Sequence, residues 1–175
     1  MKKSLFSVML LMFTSVVFSQ NTVTHSAVTF KTKNMGIGVD GTIGGLQATV
    51  HFTPANLATS TIEASVDVNS INTDNSLRDG HLKSDEFFDP AHYSKILLKS
   101  VSIIHKSGNK YVGQFNLTIK NKTKTVEIPF TCTIKGNLKA FNGSFKINRL
   151  DYGLGDSSLT LANEVVISID AEFRD

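Results

Sequence analysis

The sequence predicts an all-β fold of about eight antiparallel strands, a small closed barrel or a sandwich, with one short helical segment near residues 73–90. Three observations carry this. Apolar and polar residues alternate with period two along most of the chain after residue 24. Short polar or glycine-bearing turns separate the alternating runs, which means antiparallel pairing. One stretch, "NSINTDNSLRDGHLKSDEFFDP" at 69–90, abandons the alternation altogether.

The elements follow in chain order. "MKKSLFSVMLLMFTSVVFSQ" has a basic start, an uncharged apolar centre and a small-residue exit, so residues 1–19 are expected to be a signal peptide and residues 20–175 one exported domain. The apolar run is shorter than the roughly 20 residues a membrane span needs. Strands are expected around residues 25–33 and 47–52, with the glycine-rich stretch 36–45 between them read as turn material. In residues 61–69, Ile62, Ala64, Val66 and Val68 share one face and Glu63, Ser65, Asp67 and Asn69 the other. The same parity sets Tyr111, Gly113, Phe115, Leu117 and Ile119 inward, then Val126, Ile128, Phe130, Cys132 and Ile134. Phe141, Phe145 and Ile147, and finally Val165, Ile167, Ile169 and Phe173, repeat it. The turns are "KSGNK", "KNKTK" and "KGN".

In the exceptional stretch, Thr73 or Asp74 is placed to cap a helix, and Asp74 with Arg78 and Asp79 with Lys83 form acid-before-base pairs at four-residue spacing. Gly80 weakens that helix. Ser84 is read as the cap of a second turn, which Pro90 stops. Leu77, Leu82, Phe87 and Phe88 give the segment an apolar face, so it is expected to cover one end of the interior as a lid or plug.

Composition excludes several functions. Without Lys2 and Lys3 the basic count falls from 18 to 16 against 15 acidic residues, a net charge of +1, which offers no polyanion-binding surface and so no nucleic-acid partner. The five histidines show no HxH or HExxH spacing, and Cys132 has no CxxC partner, so no metal site is nominated. Cys132 falls on the apolar parity and reads as a small buried residue. There is no GxSxG, and no catalytic residue is assigned. Arg149 continues the inward parity of Phe145 and Ile147 before "RLDYGLG" turns, and an inward guanidinium needs an acid, carbonyl groups or an anionic ligand. Asp79 and Asp151 are the candidate acids.

Four segments then carry a resemblance to a known family: "THSAVTFKTK" at 24–33, "DVNSINTDNSLRDGHLKSDEFFD" at 67–89, "GQFNLTIKNKTKTVEIPF" at 113–130 and "FKINRLDYGLG" at 145–155. Together they make the chain similar to the YceI-like family of exported bacterial lipid- or polyisoprenoid-binding proteins. The second is the most specific, with Thr, Asn, Arg-Asp, His-Leu and Phe-Phe-Asp in register. The chain departs from the family pattern at Asn34, where many members have histidine, at Ser94 and Leu98, and at Asn121 in place of a turn glycine.

The resemblance implies a lipocalin-like barrel around a hydrophobic tunnel, occupied by an isoprenoid or other long-chain lipid and needing no cofactor. The expected lining is Phe30, Ile62, Val66, Val68, Phe87, Phe88, Phe115, Leu117, Phe130, Phe145, Ile147 and Ile167, with Arg78, Asp79, His81 and Arg149 at the rim. The expected protein is a non-catalytic carrier, periplasmic or secreted, with no integral membrane segment after cleavage, for which a homodimer is an allowed assembly. The competing expectation is a barrel filled solid by its own side chains, several of its 12 phenylalanines included, serving as an envelope or stress-related interaction module.

Overall fold

A computed structural model describes residues 22–174; the expected signal peptide at 1–19 lies outside the described residues. Nine strands form one antiparallel sheet: β1 (Thr22–Asn34), β2 (Ile37–Ile43), β3 (Gln47–His51), β4 (Thr61–Asp67), β5 (Lys95–Ser107), β6 (Lys110–Ile119), β7 (Lys122–Lys135), β8 (Leu138–Asn148) and β9 (Glu164–Arg174). Their order across the sheet is β2-β1-β9-β8-β7-β6-β5-β4-β3. The two edge strands are consecutive in the chain and joined only by residues 44–46, so the sheet must curl until its edges approach one another. This is the barrel the sequence predicts, left open along one seam.

The seam closes by a few bonds rather than a ladder. Thr42 and Asn72 exchange backbone hydrogen bonds of 2.8 and 3.1 Å, the Asp67 N–H donates to the Gly44 carbonyl at 3.0 Å, and the Gly44 N–H donates to Ser70 Oγ at 2.6 Å. The end of β2 is thereby tied to the chain that follows β4.

Strand β2 is the element that glycine content concealed. Residues 36–45 read as a turn, yet only Met35 and Gly36, both at positive φ (52° and 78°), make the two-residue hairpin turn. Val39 and Ile43 alternate correctly beyond it, and Gly41 stands opposite Phe30 in the ladder. A β-carbon at Gly41 would collide with the Phe30 ring and with Thr73, so the missing side chain is what lets the phenylalanine lie across the strand.

The helical segment is shorter than expected. α1 runs Ser76–Leu82 and is capped by Asn75, whose side chain accepts from the Arg78 N–H at 3.0 Å; neither Thr73 nor Asp74 caps it. Asp74 lies outside the helix at φ 57°, its N–H bonded to Asn72 Oδ1, and so cannot make the four-residue pair with Arg78. Ser84 Oγ has no protein hydrogen-bond partner; the turn at 84–89 is held by the Ser84 carbonyl, which accepts from Phe87 N and Asp89 N at 3.1 and 3.0 Å. No helix among the described residues is long and apolar enough to cross a membrane.

A candidate binding cavity at the covered end of the barrel

The inward parity rows divide the interior in two. At one end six aromatic side chains, Phe52, Tyr111, Phe115, Phe130, Phe141 and Phe173, pack edge-to-face or stacked, with centroids from 5.0 Å (Phe52–Tyr111) to 6.4 Å (Phe115–Phe130). This end is solid. Along the same strands the rows continue as Leu117 and Ile119, Phe145 and Ile147, and Val165, Ile167 and Ile169, and here the walls do not meet.

They enclose a cavity of about 140 Å³. Val28, Phe30 and Thr32 of β1, Ile43 of β2, Ala64 and Val66 of β4, and Ile96 and Leu98 of β5 complete its wall, and Leu82, Phe87, Phe88, Leu154 and Leu161 cover it. A volume near 150 Å³ lined by aliphatic and aromatic groups stays dry and accepts a benzene-sized solute. The cavity itself therefore fits roughly one isoprene-sized group, and a longer chain must extend beyond it.

The cover is fixed by backbone. Gly155 N–H donates to the Glu86 carbonyl at 2.8 Å, and Phe88 N–H to the Leu82 carbonyl at 3.0 Å. Gly155, at φ 66°, is where two parts of the cover touch: a β-carbon there would sit 2.7 Å from Phe87 Cζ and 3.3 Å from Arg149 Nη1.

Among the described residues Arg149 is the only charged side chain on the wall, and it is 3% exposed. Neither Asp79 nor Asp151 meets it. Its guanidinium donates instead to the carbonyls of Ala162 (3.1 Å), Leu154 (2.7 Å) and Asp156 (2.8 Å), with Asn163 Oδ1 at 3.1 Å. Burial lowers its pKa from the ordinary value, and the charge of Asp156 opposes that. The residue thus organises the loop at 153–163, an arrangement that parity suggested only as far as an inward guanidinium.

The remaining rim candidates separate. Asp79 turns toward Thr73, accepting its N–H at 2.9 Å and its hydroxyl at 2.6 Å, while Arg78 donates from Nε to Thr73 Oγ1 (2.8 Å) and from Nη2 to the Thr73 carbonyl (2.7 Å). The expected Asp79–Lys83 pair is replaced by this clasp. His81 packs its ring on Phe87 with centroids 4.8 Å apart and lies 3.9 Å from Glu86. Arg78, His81, Glu86 and Asp156 line a vestibule that shares Phe30, Thr32, Leu82, Phe87 and Leu161 with the cavity.

Of the residues expected to line a tunnel, Phe30, Val66, Phe87, Phe88, Leu117, Phe145, Ile147 and Ile167 stand on the cavity wall. Phe115 and Phe130 belong to the aromatic cluster, Ile62 lies opposite Val50 in the β3–β4 ladder, and Val68 is buried in a single turn at Val68–Ser70. Among wall residues not singled out beforehand, Ile119, Val165 and Ile169 lie on parity rows readable from the sequence. Leu154 and Leu161 come from an irregular loop that has no periodicity to reveal them. Cys132 is buried, and burial pushes its thiol up to about 11, against a smaller opposing effect of Lys139.

The family model for the YceI-like domain matches residues 20–173, which takes in the described fold from β1 to all but the last residue of β9. The chain belongs to the YceI-like family. Among relatives, a UPF0312 protein of Vibrio cholerae serotype O1 is 28% identical over 137 residues, covering 73% of this chain and 72% of its own. A UPF0312 protein of Staphylococcus aureus is 29% identical over 158 residues, covering 86% and 90%. Among solved structures, Burkholderia cenocepacia BcnA superposes with a TM-score of 0.79 at 28% identity over 84% of this chain and 95% of BcnA. A polyisoprenoid binding domain from Saccharophagus degradans implicated in plant cell wall breakdown superposes at 0.71 and 14% identity, covering 89% and 97%, a likeness of fold. The YceI-like barrel is thus shared across widely diverged sequences.

Proposed function

We propose that this protein is a non-catalytic carrier of an isoprenoid or other long-chain lipid. The observation that carries the reading is the cavity: among the described residues its wall has a single charged side chain, and that one is engaged by carbonyl and amide oxygens of the loop it holds. Such a wall recognises hydrocarbon by exclusion of water, with about 0.8 kcal/mol gained per buried methylene before ordering costs. The Saccharophagus degradans domain, named as polyisoprenoid binding, supports the class of ligand. The basic and apolar pattern of residues 1–19 supports export to the periplasm or medium. No cofactor is required for binding of this kind.

One end of the barrel is packed solid, so the ligand occupies the covered end alone. Because the cavity itself takes about one isoprene unit, a longer chain is accommodated by displacing Phe88 and Leu82, both only half buried, and running into the vestibule.

Native mass spectrometry of the exported protein purified without detergent, followed by solvent extraction, tests this. A stoichiometric prenyl or acyl compound is the expected result. A bare protein that also fails to take up added quinones and polyprenyl phosphates would overturn it in favour of an interaction module.

A further inference from the structure

A carrier for a water-insoluble chain must meet the phase that dissolves it. The vestibule is ringed by three segments: the β1–β2 turn, α1 and the loop at 153–163. Met35 N–H donates to the Thr160 carbonyl at 2.8 Å, which places the turn against that loop. Each segment carries a large apolar side chain in solvent. Met35 is 75% exposed, Ile37 72% and Leu77 87%, and Leu159 is fully exposed. Isolated exposed apolar residues are ordinary on soluble proteins; four around one opening are not.

The crown is continuous with the cavity. On β2 the side chains at alternate positions run Ile43 on the cavity wall, Val39 on the vestibule wall, then Ile37 beyond the rim. On α1, Leu77 lies one turn before His81, which lines the vestibule, and on the same side of the helix. The β2 row thus leads from the cavity along one side of a vestibule of mixed polarity to side chains that protrude past it.

We infer that this crown inserts into the surface of a lipid bilayer, docking the mouth of the barrel on the membrane from which the ligand is taken or to which it is delivered. The purpose rests on the carrier reading, but the docking itself needs no ligand in the cavity. The charges around the mouth decide the kind of surface. Arg78 stands with Glu86 and Asp156 on the vestibule wall, and Lys31 is 3.8 Å from Asp40 outside it. Among the described residues Lys33, Arg78, Lys83 and Lys120, on or beside these segments, are interspersed with Asp74, Asp85, Glu86 and Asp156, so the mouth presents no field of one sign, and insertion of the apolar tips carries the binding while lipid charge adds little.

Flotation of the mature protein with phosphatidylcholine vesicles free of prenyl compounds tests this separately from ligand uptake. The protein is expected to float with them, no better when phosphatidylglycerol replaces part of the lipid, and equally well at about 1 M NaCl, where the Debye length is roughly 3 Å. The combined variant Met35→Ser, Ile37→Ser, Leu77→Ser, Leu159→Ser should lose about tenfold or more in partitioning while keeping its circular dichroism spectrum and melting temperature. Val101→Ser with Ile104→Ser, exposed on β5 away from the mouth, should partition as wild type. A wild-type protein that stays in the aqueous phase would overturn the inference, as would equal losses in both variants. So would a dimer by light scattering that the fourfold variant alone makes monomeric without any vesicle binding, which would give the crown to a second copy of the chain.

Discussion

Asp79 Oδ1 accepts both the backbone N–H of Thr73, at 2.9 Å, and its hydroxyl, at 2.6 Å. Thr73 is buried, and the same hydroxyl accepts from Arg78 Nε. Adjacent residues of opposite charge therefore do not pair with each other but grip one threonine from two sides, fixing α1 to the segment that closes the barrel seam at Asn72. Asp79→Ala leaves the buried Thr73 N–H without a partner, which should cost about 1–3 kcal/mol. Urea denaturation checks it. Because α1 supplies Leu82 to the cover, the variant should also release a preloaded prenyl ligand faster.

The two ends of the barrel should respond oppositely to substitution. Phe115 packs in the aromatic cluster, so Phe115→Ala should destabilise by about 3–5 kcal/mol and leave the ligand affinity of the folded fraction unchanged. Ala64 stands on the cavity wall, and Ala64→Phe places a ring in the cavity at a stability cost of about 1–3 kcal/mol. Its uptake of a fluorescent prenyl probe should fall at least tenfold. Denaturation and probe titration on both variants separate packing from binding.

Alternation made most of this legible in the sequence because one face of every strand meets the interior. Leu117, Phe145, Ile147 and Ile167 were readable as wall residues for that reason. Parity says which face a residue takes, not how far along the barrel its row stays filled. Phe115 and Leu117 are two residues apart on one face of β6, yet one closes the solid end and the other bounds the cavity. Strand β2 was hidden because Gly41 looks like turn chemistry, whereas its missing side chain makes room for Phe30. Arg149 was readable as inward, but its carbonyl partners lie on an irregular loop whose path no local pattern encodes.

Gly155 joins the two halves of the cover. Gly155→Ala imposes a side chain at φ 66°, a conformation costing an L-residue about 1–2 kcal/mol, and presses on the Phe87 ring. The expected result is a lower melting temperature together with faster hydrogen exchange at residues 86–88 and 155. Gly36→Ala, also at positive φ but with open space around it, should show the stability loss without the local exchange at the cover. Exchange mass spectrometry distinguishes the two.

Alkaline pH should reveal the buried acids. Burial pushes Tyr152 from its ordinary 10.0 up to about 12, with Asp151 adding to the effect, and Cys132 from 9.0 up to about 11. Both groups are neutral in the fold and ionise more readily once unfolded, so their contribution to stability is complete below pH 9 and is lost as pH rises through about 11 and 12. Urea midpoints measured across that range should hold steady to about pH 9 and then fall. Tyr152 OH is buried with no protein hydrogen-bond partner, so Tyr152→Phe removes an ionisable group while sacrificing no bond. At neutral pH this variant should be as stable as wild type or slightly more so, and its midpoint should decline less steeply between pH 10 and 12. An unchanged decline in Tyr152→Phe would shift the alkaline sensitivity to Cys132, which Cys132→Ala would then remove.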